Sequence, residues 1–222
     1  MKNEELFEKA KEIHTANGGN TEETAKALYS NEGFGFEAVD VARALNGGLK
    51  LSDAKVASVL YSPFGCHLSA AATASVLHSP DGLYLNAAKT AKLLYSWDVC
   101  NLSAMDVACV LRSKNGLGLD STEVARALYS NEGLGLDAAK VAHVLYPPDG
   151  SIFTYAEIVQ SLRRWLNLSA EEIARTLKDF GLNKKQAIDI LKIAGIKPEQ
   201  SHAEKAISEL QNNNESPNQG IK

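Results

Sequence analysis

The sequence predicts an all-α protein, an α-solenoid of about eleven short helices in 17-residue units that pair into units of about 34 residues. The first observation is a phrase that returns ten times: a capping residue, a β-branched residue four places later, an alanine beside it and a leucine three further on. Its copies include Asn20-Thr24-Ala25-Leu28, Ser52-Val56-Ala57-Leu60, Ser69-Thr73-Ala74-Leu77, Asn86-Thr90-Ala91-Leu94 and Ser103-Val107-Ala108-Leu111, and it continues from Asp120, Asp137, Thr154 and Ser169. The second is a glycine-bearing turn between the copies. The third is a composition of 45% hydrophobic but only 7% aromatic residues, which suits packing by Ala, Leu and Val. A unit this short cannot bury its apolar face alone and must lean on its neighbours.

Residues 1–19 read as an N-terminal capping helix with a polar outer face, closed by Gly18-Gly19. Residues 20–153 hold the tandem repeats. Each helix there opens on Asn, Ser, Asp or Thr, whose side-chain oxygen takes a free amide of the first turn; Glu37 alone departs from that set. A large apolar residue precedes nearly every cap (Phe36, Leu51, Leu68, Leu85, Leu102), so that with the β-branched residue it forms a hydrophobic staple. The alanines permit close helix approach and the leucines fill the shared seam. Turns such as Ser62-Pro63-Phe64-Gly65 and Ser113-Lys114-Asn115-Gly116 end the helices, the glycine being expected to supply a positive φ. After the leucine stands Tyr29, Tyr61, Tyr95 or Tyr129 in alternate copies and Asn46, His78, Arg112 or Tyr146 in the others, which is the sign of pairing. Residues 154–197 read as divergent, more charged C-terminal repeats. Residues 198–222 read as a weak helix over 201–211 and a polar tail.

The net charge of −4 sits in the repeats, where residues 20–153 carry 10 Lys and Arg against 14 Asp and Glu. That balance opposes binding to nucleic-acid phosphates. An odd set of cysteines, Cys66, Cys100 and Cys109, without CxxC spacing points to reduced thiols and a cytoplasmic location. No run of 18 apolar residues occurs, so no membrane association is expected.

Catalytic motifs are absent, and the chain reads as not an enzyme. Three Gly-x-Gly turns, at Gly33, Gly116 and Gly133, lead into helices, yet Glu37, Asp120 and Asp137 put a carboxylate where a phosphate would sit. Single carboxylates in separate turns do not make a calcium cage, and Cys66, His67 and His78 lack a fourth zinc ligand. No cofactor, metal or small-molecule ligand is expected. What varies against the fixed columns is the turns, and loops on a rigid scaffold carry specificity. Phe64, Tyr84 and Trp97, with His67 and Lys114, are therefore the candidate partner-binding residues, and a protein or peptide is the expected partner.

The segment Ser30 to Leu45, Ser-Asn-Glu-Gly-Phe-Gly-Phe-Glu-Ala-Val-Asp-Val-Ala-Arg-Ala-Leu, and its sister copy from Ser130 resemble the repeats of transcription-activator-like effectors. The resemblance covers residues 20–153. It implies a nucleic-acid partner, with Asn31-Glu32, Pro63-Phe64, Trp97-Asp98 and Asn131-Glu132 at the base-reading position. The chain departs from that family where a backbone-facing Lys or Gln is replaced by Phe36 or Leu136 and in its shorter second helix. Residues 168–182 resemble the Ser-Ala-Glu-Glu-Val/Ile-Ala tandem arrays of bacterial repeat proteins.

Overall fold

The computed structural model describes residues 3–146, 152–165, 167–179, 184–193, 195 and 196. The weak helix and tail expected beyond residue 198 lie outside them. Among the described residues there are twelve α-helices and no strand. The helices are α1 (Asn3–Ala16), α2 (Thr21–Tyr29), α3 (Ala38–Arg43), α4 (Asp53–Tyr61), α5 (Ala70–His78) and α6 (Ala87–Tyr95), then α7 (Ala104–Arg112), α8 (Ser121–Tyr129), α9 (Ala138–Leu145), α10 (Tyr155–Trp165), α11 (Ala170–Asp179) and α12 (Lys184–Ile193). The count exceeds the expected eleven by one. From α4 to α10 the helices begin at residues 53, 70, 87, 104, 121, 138 and 155, steps of seventeen.

The chain forms two compact units, one of Met1–Asp120 with Ser130–Gly135, the other of Ser121–Tyr129 with Leu136–Lys222. In the first unit, α4 packs on α5 and α6, and α5 packs on α6 and α7, so each helix touches the next and the next but one. The second unit repeats that pattern, with α8 on α9 and α10, and α10 on α11 and α12. There Thr122 pairs with Ser161 (3.3 Å) and the Arg126 guanidinium lies 4.7 Å over the Trp165 ring. The paired positions rise together, so α8 and α10 run in the same direction.

Caps start these helices as their chemistry requires. Ser52, Ser69, Asn86 and Asp137 each accept a hydrogen bond from the backbone N–H three residues on, and Ser103 closes a capping box with Asp106. Glu37 makes no such bond. Its helix, α3, is only six residues long and runs into a π-helical turn, Ala44–Gly48. The cause is tertiary: Phe7 of α1 lies against Gly47 and Gly48, and a Cβ on Gly48 would stand 3.2 Å from the Phe7 Cα.

The leucine column, Leu28, Leu45, Leu60, Leu77, Leu94 and Leu111, is wholly buried, and so are the alanines beside it, from Ala25 to Ala108. Each such leucine contributes about 1.5–3 kcal/mol by leaving water. The second unit keeps both columns through Leu128, Leu145, Leu162 and Leu177, with Val159 in the alanine place of α10. Nine-residue helices are too short to be stable alone, so this burial is what holds them.

Candidate functional site

Six turns, opening at Ser30, Ser62, Ser79, Ser96, Ser113 and Ser130, share one hydrogen-bonded skeleton. The carbonyl of each serine accepts two backbone N–H groups, those of the residues three and five places later; for Ser79 these are Gly82 (3.0 Å) and Tyr84 (3.1 Å). The next N–H returns to the leucine column, as Leu85 does to Leu77 (2.9 Å) and Leu119 to Leu111 (2.9 Å). With its carbonyls and amides paired in this way, a turn holds its shape while its exposed side chains vary.

The glycines act differently from the expectation above. Gly33, Gly65, Gly82 and Gly116 do not take a positive φ; a Cβ at these four would stand 1.9–2.1 Å from the carbonyl oxygen six residues back. In these four turns only glycine allows so close an approach to the helix, whereas the Ser96 turn makes the same serine-carbonyl bonds with Val99 at this place. Positive φ falls two residues later, on Gly35, Gly118 and Gly135 in three turns and on His67 (φ 53°), Tyr84 (φ 54°) and Asn101 (φ 52°) in the other three. That accounts for the Gly-x-Gly pairs without any phosphate. Asn tolerates the left-handed region, but for most L-residues it costs about 1–2 kcal/mol.

All five candidate residues are exposed: Phe64 at 73%, Tyr84 at 76%, Trp97 at 83%, and His67 and Lys114 as well. They stand at three different places in their turns. Trp97 and Lys114 directly follow the serine, Phe64 is one further on, and His67 and Tyr84 hold the positive-φ position. All five belong to the first unit. Among the described residues no ring or cation lies over Phe64, Tyr84 or Trp97. By contrast, Phe34 stacks on Phe36 (centroids 5.8 Å apart) with the Lys9 ammonium 4.9 Å from its ring. The turns are also pinned from outside: the Ser62 hydroxyl donates to Glu22 of α2 (3.2 Å), and the His78 Nδ1–H donates to the Leu85 carbonyl (2.7 Å). Asn46 donates to the Leu51 carbonyl in the same way (2.9 Å), so these two alternate residues after the leucine serve as clamps.

Cys66 and Cys100 are free and buried, and burial pushes both thiols up to about 12. They are apolar filling at the turn position that Leu83 holds between α5 and α6, not nucleophiles. Among the described residues no three His, Cys, Asp or Glu side chains gather as metal ligands, and no helix is long and apolar enough to cross a membrane.

Comparison of the chain with protein-family models, with curated proteins and with solved structures returns no match. The site therefore rests on its own geometry. Sequence reading singled out these aromatics but not their exposure, and it missed that Tyr84 and His67 stand where three sister turns place glycine. The signal was present in the column Gly35, Gly118, Gly135.

Proposed function

We propose that the chain is a non-enzymatic helical-repeat scaffold, an α-solenoid that holds a protein or peptide partner along its inter-helix turns. The residues assigned to contact are Phe64, His67, Tyr84, Trp97 and Lys114. One observation carries this reading: large aromatic side chains stand 73–83% exposed on a hydrogen-bonded turn skeleton, one of them, Tyr84, at a positive φ that three of the other five turns give to glycine. Folding alone gains nothing from an exposed tyrosine there. Backbone strain at a residue with no packing role is the pattern expected of a recognition position. The free, buried thiols support a reducing compartment.

The reading is tested by using the full chain and its Phe64→Ala/Trp97→Ala variant as baits in nuclease-treated and untreated lysate. A partner captured by the wild type regardless of nuclease, and lost at least tenfold with the double variant at unchanged helicity, is the expected result. Capture that survives the double variant, or that vanishes with nuclease, contradicts it.

A further inference from the structure

The occupant of these turns can be specified by charge, on the premise that they bind a partner at all. From Ser62 to Asn101 the turns carry two carboxylates, Asp81 and Asp98, and no Lys or Arg; the lysines of this stretch, Lys89 and Lys92, stand on α6. Each acid shares its turn with an exposed ring. Asp81 lies three residues before Tyr84, and Asp98 follows Trp97 and is held by the Ser96 hydroxyl (2.6 Å).

An aromatic face beside a carboxylate suits one chemistry, a guanidinium or ammonium group, which gains from the ring quadrupole and from the negative charge together. The molecule makes both ring contacts with its own cations: Lys9 stands over Phe34 and Arg126 over Trp165. Those two rings are 48% and 50% exposed, whereas Phe64, Tyr84 and Trp97 are 73–83% exposed and, among the described residues, have no cation over them. We infer that the turns between α4 and α7 bind a basic, extended peptide segment whose Arg or Lys side chains cover Tyr84 and Trp97, with Asp81 and Asp98 as counter-charges. A nucleic acid, bearing phosphates, is the wrong sign for this stretch.

The test uses the full chain and four fluorescent probes in anisotropy titrations: a twelve-residue peptide alternating Arg and Ser, its citrulline-for-Arg and Glu-for-Arg counterparts, and a twelve-nucleotide single-stranded DNA. The Arg peptide is expected to bind at least tenfold tighter than the other three. Trp97→Leu and Tyr84→Leu, which keep an apolar side chain but remove the aromatic face, should each weaken it by about threefold, the size of an exposed cation–π contact. D81N/D98N should weaken it further, most strongly at low salt. Preferential binding of the DNA or of the Glu peptide overturns the inference, and so does Arg-peptide binding indifferent to all of these substitutions. If the citrulline peptide binds as tightly and loses affinity on Trp97→Ala, the cationic assignment fails while the docking reading stands. If no probe responds to Phe64 or Trp97, both fail.

Discussion

The segment α5–turn–α6 and the segment α7–turn–α8 have the same length and the same phrase, and their turns, Ser79 to Leu85 and Ser113 to Leu119, share the serine-centred hydrogen bonds. They differ in what they leave unsatisfied. The α7–α8 segment places Val107 and Val124 at the buried β-branched position and Gly118 at the positive φ. The α5–α6 segment places Thr73 and Thr90 there, each wholly buried with a hydroxyl that has no hydrogen-bond partner, and Tyr84 at the positive φ. Elsewhere the threonine is satisfied, as Thr24 is by the Asn20 carbonyl (2.6 Å) and by His14 (3.1 Å). One segment is thus closer to what folding alone requires. The other departs from it in a segment whose turn carries an exposed aromatic, Tyr84, and natural proteins commonly carry such departures at functional positions.

The comparison holds only if the shared skeleton is equally demanding in both segments. Gly82→Ala and Gly116→Ala bring a Cβ to 1.9 Å and 2.0 Å from the carbonyl oxygens of Val76 and Val110, which are backbone atoms and cannot swing aside. Each substitution should cost about 1–3 kcal/mol in urea denaturation, and by similar amounts. If one is tolerated and the other is not, the two turns are not equivalents and the comparison breaks.

A smaller effect sharpens it. Thr73→Val and Thr90→Val replace an unpartnered buried hydroxyl with a methyl group, converting the α5–α6 pattern to that of Val107 and Val124. Removal of an unsatisfied buried polar group should stabilise the chain by about 1 kcal/mol for each site, read as a rise in the denaturation midpoint. Thr24→Val, which breaks two hydrogen bonds, should lower it. A uniform response across the three threonines would show that the column is read the same way everywhere.

Much of the local structure was legible because its causes are local. The caps from Ser52 to Asp137 and the leucine and alanine columns follow from side-chain chemistry at fixed spacing, and the helices begin where those caps stand. The π-turn at Ala44–Gly48 was not legible, because it answers to Phe7, some forty residues earlier in sequence, pressing on a glycine pair. The roles of the two turn glycines were exchanged for a related reason: close approach to the carbonyl six residues back and positive φ both select glycine, and composition alone does not separate them. The candidate residues were found as exceptions to a repeated pattern. Their exposure, and the strain under Tyr84, depend on the folded turn and emerge only from it.

On the function proposed above, Tyr84 is kept for what it touches outside the chain and not for the fold. Urea denaturation of Tyr84→Gly tests it directly, since glycine relieves the left-handed backbone while adding flexibility to the unfolded chain. The variant is expected to be more stable than the wild type by about 0.5–1 kcal/mol, with unchanged helicity. A loss of 1 kcal/mol or more would mean that the ring packs on its own repeat, and would contradict it.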